Sequence, residues 1–260
     1  MIRRGLVASI SDTTIWRWLS EDAIKPWTHR SWIFPRDPDF GPKAARVLDL
    51  YAGEWHGRPL KADEFVISAD EKTSIQARIR CHPTVAANAR HPMLVEHEYE
   101  RGGALAYLAA WDVHRARLFG RCEPTTGIEP FGRLVSQVMA AEPYRSARRV
   151  FWVLDNGSSH RGDASVRRLV EAHPRLVPVH LPVHASWLNQ VEVYFSILER
   201  KVLTPADAAS LEELAARILA FQAHYELLAQ PFEWRFTRAD LAKLLGRLAA
   251  RDPGPLAKAA

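Results

Sequence analysis

Short apolar segments predict five β-strands in the larger part of the chain. They are rich in Val, Ile, Leu and aromatic side chains and are bounded by turn residues, as strands usually are. Their predicted limits are 65–70, 107–113, 116–120, 150–155 and 176–181. Pro178 has no N–H to donate to a neighbouring strand, so we expect the fifth strand at an edge of its sheet.

Apolar positions that recur every three or four residues predict helices around these strands. A short helix is expected near the N-terminus, capped by Ser11 or Asp12. Prolines argue against regular structure in residues 24–42, and a later helix is expected to begin after Ser186. The predicted helices cover about 9–22, 43–55, 129–141, 163–172, 187–202, 211–228 and 239–250.

The order of these elements predicts an α/β fold. Three strands are followed by a helix, a strand, a helix, a strand and then helices only. This order is typical of a mixed five-stranded sheet with helices on both faces.

Composition narrows the class of protein. Of 260 residues, 47% are hydrophobic and 25% are charged, as in ordinary globular proteins, and no apolar run is long enough to span a membrane. Cys81 and Cys122 form neither a disulfide framework nor a metal-binding pattern, which fits a reducing cytoplasm. The net charge of +5 suits a phosphate-rich partner, although many basic proteins bind no nucleic acid.

Two aspartates would lie side by side if the first and fourth predicted strands are neighbours in the sheet. Asp70 ends the first predicted strand and Asp155 ends the fourth. Ligands gather beyond the carboxyl ends of strands in such sheets. Two neighbouring carboxylates repel each other unless a cation lies between them, and Mg²⁺ or Mn²⁺ prefers oxygen ligands.

Glu192 is the third candidate acid. It lies four residues after Leu188 and three before Phe195, so it borders the core face of its predicted helix. A buried carboxylate needs a partner, and a metal ion is one.

Each acid also has a plain structural interpretation. An Asp after a strand is usually a turn residue or a helix cap, and Glu192 could pair with a nearby Arg or Lys. Asp63 and Glu71 flank the first site, and Glu199 is the main rival for the third position.

Two histidines lie near the predicted site. A loop histidine is usually a plain hydrogen-bonding residue. The functional alternative for His160 and His184 is contact with a DNA phosphate or an attacking water.

Three segments resemble the signature blocks of one family. Ser68–Lys72, Leu154–His160 and His184–Glu192 resemble those of bacterial insertion-sequence transposases of the mariner superfamily, which are DDE endonucleases. The third block, which continues through Phe195, is the most specific. The resemblance covers roughly residues 11–250.

The resemblance implies an RNase H-like catalytic domain with an Asp-Asp-Glu triad. The triad maps onto Asp70, Asp155 and Glu192, and the last two are 37 positions apart. It also implies two Mg²⁺ or Mn²⁺ ions, which serve cleavage at transposon ends and strand transfer into target DNA.

The partners implied by the resemblance are double-stranded DNA, both transposon ends and target, and a second copy of the chain when bound to DNA. The expected location is the bacterial cytoplasm, in association with the nucleoid.

The N-terminal segment departs from the family's pattern. Ser11–Leu19 resembles the last recognition helix of a helix-turn-helix unit, but two preceding helices have no room in ten residues. We therefore expect a chain truncated at its N-terminus. The residues expected to contact DNA are Thr13, Thr14, Arg17, Arg30, Arg36 and His160.

The predicted domains are a helix-turn-helix remnant (1–23), a linker with one helix (24–60), the catalytic domain (61–250) and a tail (251–260). Two other functions stay open. One is a catalytically idle remnant that binds DNA or a partner protein. The other is a different RNase H-like nuclease that cuts RNA strands or junctions, against which the third block argues.

Overall fold

The computed structural model describes residues 5, 8–21, 35, 37–157, 163–205 and 207–250. The chain consists of two compact units, Met1–Phe34 and Pro35–Ala260. In the first unit, helix α1 (Asp12–Glu21) follows Ser11, whose hydroxyl accepts the Thr14 N–H at 3.2 Å. The predicted N-terminal helix and its Ser11 cap are therefore confirmed.

The second unit holds the sheet and the remaining helices. Its strands are β1 (Glu54–Trp55), β2 (Arg58–Pro59), β3 (Glu64–Ile79), β4 (Glu100–Asp112), β5 (Leu118–Glu123), β6 (Arg149–Leu154) and β7 (Leu176–His180). Its helices are α2 (Phe40–Tyr51), α3 (Ile128–Ala140), α4 (Asp163–Ala172), α5 (Val191–Leu198), α6 (Leu211–Leu228) and α7 (Arg238–Ala249).

Five strands form one mixed sheet in the order β5-β4-β3-β6-β7. Strand β3 lies at the centre, antiparallel to β4 and parallel to β6. Strand β7 forms one edge, where Pro178 stands opposite Trp152 of β6. The α/β class, the mixed sheet and the edge position of the fifth strand are thus confirmed.

Helices cover both faces of this sheet because alternate strand residues are apolar on each side. Helices α2, α5, α6 and α7 pack on the face that carries Val66 and Val153. Helices α3 and α4 pack on the opposite face, which carries Ile67 and Trp152. Among the helices described, none has both the length and the apolar character needed to cross a membrane.

The two central antiparallel strands are longer than predicted. Strand β3 continues to Ile79, so the prediction that Asp70 ends this strand was wrong. Beyond Lys72 it stays paired with β4 through register shifts, and Ile75 and Ala77 are buried at alternate positions. That alternation is a strand pattern, although polar residues and bulges interrupt it.

Two helices begin and end elsewhere than predicted. Helix α2 starts at Phe40 rather than 43. Pro42 is compatible with this start because it lies in the first turn, where no N–H is needed. The predicted helix 187–202 is split into a 3₁₀ turn at Ser186–Leu188, helix α5 and a π turn at Glu199–Leu203. Ser186 therefore does not cap α5.

Candidate functional site

Asp70 lies on β3 and Asp155 directly follows the adjacent strand β6, at one face of the sheet. The parallel pairing of β3 with β6 ends where Ser68 meets Val153, two positions before each aspartate. Because side chains alternate along a strand, Asp70 shares a face with Ser68, and Asp155 continues the face of Val153. Helix α5 packs on that same face.

Asp70 is the most enclosed of the candidate acids. It is 7% exposed; Oδ1 accepts the Glu71 N–H at 2.8 Å, and Oδ2 accepts an Asn189 N–H at 3.0 Å. Burial and the neighbouring Asp155 carboxylate raise the pKa of Asp70 to about 7, and Glu192 adds to the rise. A buried acid among acids favours the neutral form or a bound cation.

Asp155 lies in the turn that follows β6. Its Oδ1 accepts the Gly157 N–H at 2.8 Å. The next residue, Asn156, donates from its side chain to the Leu181 carbonyl at 2.7 Å and so ties this turn to the segment after β7. The turn thereby holds a partly buried carboxylate beside the central strand.

Glu192 lies in the first turn of α5 and is partly buried. Burial raises its pKa; the Lys72 ammonium opposes this rise and the Asp155 carboxylate adds to it. Asp70, Asp155 and Glu192, from three separate elements, therefore form one electrostatic cluster.

The cluster is not a closed metal site. Among the residues described, no group of three or more His, Cys, Asp or Glu side chains stands close enough to hold a metal ion. The three carboxylates nevertheless provide the all-oxygen ligand set that hard divalent cations prefer. Their chemistry fits Mg²⁺ or Mn²⁺, and binding would require side-chain movement toward a shared point.

The segment before α5 is held from two directions. The Tyr51 hydroxyl, on α2, donates to the Leu188 carbonyl at 2.7 Å and accepts the Gln190 N–H at 3.4 Å. From β3, the Ser68 hydroxyl accepts the Val191 N–H at 2.9 Å. These contacts fix the start of α5 and therefore the position of Glu192.

Glu199 and Glu71 are close to the main candidates but differ from them in partner and in sheet face: Glu199 lines the same cavity as Glu192, and Glu71 adds to the rise in the pKa of Asp70. Glu199 forms an ion pair with Lys72 at 2.8 Å. Glu71 alternates with Asp70 along β3 and lies on the face of Ala69. His184 stands in the loop before the 3₁₀ turn with a φ of 61°.

The residues predicted to contact DNA are only partly described. Thr13, Thr14 and Arg17 lie on α1, where Thr13 and Arg17 are exposed and Thr14 is partly buried. Arg30, Arg36 and His160 lie outside the described residues.

Sequence reasoning missed Asn189, Ser68 and Tyr51. Asn189 is 1% exposed and joins α5 to β3, which lies about 120 positions earlier in the chain. Helical spacing gave no signal for Asn189, because adjacent residues of a helix do not face each other and Asn189 lies off the predicted apolar stripe that contains Leu188.

Comparison with known proteins places this fold and sequence in a family. Residues 66–215, more than half of the chain, match the family model described as DDE superfamily endonuclease. No curated protein of similar sequence was found.

Solved transposase complexes share the fold. The Mos1 mariner paired-end complex with Mn matches with a TM-score of 0.52 at 12% identity, over 92% of this chain and 69% of that chain. The Mos1 strand transfer complex gives 0.52 and 12%, over 92% and 68%. A pre-cleavage Mos1 transpososome gives 0.51 and 12%, over 93% and 70%. At this identity the match establishes the fold, a mixed RNase H-like sheet flanked by helices.

Proposed function

Because the chain belongs to the DDE superfamily endonucleases, we propose that it is a transposase, which cleaves DNA at transposon ends and joins them to target DNA. Asp70, Asp155 and Glu192 are its metal-binding catalytic carboxylates. The observation that supports this proposal is the parallel pairing of β3 with β6, which brings Asp70 and Asp155 to the face of the sheet on which the helix of Glu192 packs.

The cluster suits cations better than any other ligand class. Carboxylates that repel each other are stabilised when a divalent cation binds between them, and the enclosed Asp70 gains most. The proposed cofactor is Mg²⁺ or Mn²⁺, as two ions. Two such cations would activate a water or a 3′-hydroxyl and stabilise the leaving oxygen of an in-line displacement at phosphorus.

The chain's own groups hold the carboxylates in place. The Glu71 N–H fixes one oxygen of Asp70, and the Gly157 N–H fixes one oxygen of Asp155. Helix α5 packs on the same face of the sheet, and Asp70 is only 7% exposed. These restraints orient the ligands before substrate arrives.

Double-stranded DNA is the proposed partner. The net charge is +5, and the matched Mos1 structures include paired-end, pre-cleavage and strand transfer complexes. Thr13, Thr14 and Arg17 on α1 are proposed DNA contacts, as are Arg30, Arg36 and His160. A homodimer on DNA and association with the bacterial nucleoid complete the proposal.

The decisive measurement is Mn²⁺ binding by calorimetry, for the wild type and for Asp155→Asn, each with and without a DNA duplex. The duplex is included because substrate phosphates often complete such sites. We expect saturable binding that Asp155→Asn abolishes. Equal binding by both folded proteins, or none by either under both conditions, would contradict the proposal.

Cleavage assays separate the remaining alternatives. A transposase nicks duplex DNA in the presence of Mn²⁺ and joins 3′-hydroxyl ends to a second duplex. Preference for an RNA–DNA hybrid would favour another RNase H-like nuclease. DNA binding with no cleavage, despite bound metal, would favour an idle remnant.

A further inference from the structure

Asn189 is a buried polar residue between the 3₁₀ turn and α5. Its side chain is 1% exposed, and its backbone is extended, with φ −83° and ψ 110°. The extended backbone interrupts what would otherwise be one helix. A buried amide side chain needs partners for its donors and its acceptor.

All of these partners belong to the central strand. The side-chain N–H groups of Asn189 donate to Asp70 Oδ2 at 3.0 Å and to the Ala69 carbonyl at 3.1 Å. Its Oδ1 accepts from the Ser68 hydroxyl, which in turn accepts the Val191 N–H. An aspartate could not replace Asn189, because a carboxylate has no N–H to donate.

The backbone of the same residue reaches the third acid. The Asn189 carbonyl accepts the Glu192 N–H at 3.1 Å. One residue therefore bonds to the carboxylate of Asp70 through its side chain and to the backbone of Glu192 through its main chain.

The geometry points to Asn189 as the positioning residue of the site, which orients the Asp70 carboxylate and sets its distance from Glu192. This inference rests on the proposed metal-dependent function. Asp70 receives one N–H on each oxygen, so it cannot rotate about its Cβ–Cγ bond without breaking both bonds. Each oxygen keeps a second lone pair for a cation.

Metal affinity tests this role, because loss of a merely structural contact would not change it. Groups that orient metal ligands typically contribute about 10–100-fold to metal affinity. We expect Asn189→Ala to weaken Mn²⁺ binding to the full chain by about that factor, as measured by calorimetry. Ser68→Ala leaves the Asn189–Asp70 bond but removes the partner of the Asn189 amide oxygen and of the Val191 N–H, so it should weaken binding several-fold.

The matched control is Tyr144→Phe. The Tyr144 hydroxyl donates to the buried carboxylate of Asp112 at 2.7 Å, and Tyr144 packs in the core on the opposite face of the sheet. This variant also loses a buried hydrogen bond to a carboxylate, so its melting temperature should fall, while its Mn²⁺ affinity should equal that of the wild type.

The outcomes distinguish this inference from the proposed function. If the wild type binds Mn²⁺ and Asp155→Asn does not, but Asn189→Ala and Ser68→Ala both bind like the wild type, the positioning role is overturned and the metal site stands. If Asn189→Ala does not fold, Ser68→Ala decides by the same criterion. A wild type that binds no Mn²⁺, with or without DNA, overturns both.

Discussion

Strand β3 carries two buried acids whose surroundings have opposite effects. Glu64 at its start and Asp70, six positions later, are each 7% exposed. Burial raises the pKa of Glu64, but the Lys61 N–H and the Arg149 guanidinium, 2.8 Å from Oε1, outweigh it and hold the pKa below its usual value. Around Asp70, burial and carboxylate neighbours act together and raise the pKa to about 7.

The two acids are equally buried, so the difference between their pKa values comes from their charged neighbours. Glu64 has its cation within the chain, as do Glu123 with Arg133 and Asp37 with Lys43. Asp70 is next to acids instead. Under the proposed function, the free energy lost to repulsion in this cluster is recovered when an external cation binds.

The largest expected difference between the two ends of β3 is in catalysis. Asp70→Asn should reduce Mn²⁺-dependent DNA cleavage by more than about 100-fold, because it removes a proposed ligand rather than a group that orients one. The cleavage rate of Glu64→Gln should stay within a few-fold of the wild type, because Glu64 and its partner Arg149 lie away from the cluster. Single-turnover nicking rates, measured well below the melting temperature, would test this. Similar losses of cleavage rate in both variants would contradict the proposed difference between Asp70 and Glu64.

The next largest effect is on stability, which Glu64→Gln should lower and Asp155→Asn should raise. Without metal, at pH 7.5, Glu64→Gln should lower the free energy of unfolding by about 2–3 kcal/mol, since a buried bond to a charged partner is weakened. Asp155→Asn should raise it by about 0.5–2 kcal/mol, since one of the repelling charges beside Asp70 is removed. Urea unfolding in the presence of a chelator measures both. A destabilised Asp155→Asn protein would argue against repulsion in the cluster.

The two acids should also differ in their pH dependence. The pKa of Asp70 in the folded protein lies above its usual 3.8. In metal-free protein its contribution to the free energy of unfolding therefore falls as pH rises from about 4 to 7, by at most about 1.4 kcal/mol per pH unit. The pKa of Glu64 lies below its usual 4.5. Its contribution to the free energy of unfolding is therefore complete above about pH 4.5 and is lost only at lower pH. Unfolding of the wild type and Asp70→Asn between pH 5 and 8 measures the first effect. A constant difference between them would contradict it.

The smallest expected effect concerns Glu199, which has a cation partner as Glu64 does. Its ion pair with Lys72 is partly exposed, so Glu199→Gln should change Mn²⁺ affinity by less than about twofold. Glu192→Gln should abolish saturable binding. Calorimetry on the two variants compares acids seven positions apart. Stronger dependence on Glu199 would reassign the third ligand.

Much of the site could be predicted because it depends on local patterns. The apolar runs of β3 and β6 predict buried strands, and their adjacency was implied by the RNase H-like fold. Asp70 and Asp155 follow the paired part of each strand. The prediction that β3 ends at Asp70 was wrong, yet the two aspartates are still adjacent, because only the parallel pairing ends there. Helical spacing likewise placed Glu192 at the core border, and it is partly buried.

The rest could not be predicted because it depends on contacts distant in sequence. A continuous helix from 187 to 202 satisfies local rules. It is interrupted at Asn189, whose side chain bonds to Ser68 and Asp70 on a strand far earlier in the chain. The extension of β3 to Ile79 likewise depends on pairing with β4 across an intervening segment.

Helix α2 has a consequence for how this unit could be combined with other modules. Tyr51 holds the turn before α5, and Val47, Leu48 and Leu50 are buried in the same core as the sheet. A chain shortened to begin at residue 61 would expose that core and release the turn that bears Asn189. A fusion protein that carries this unit should therefore place its junction before Phe40, so that α2 stays together with the sheet.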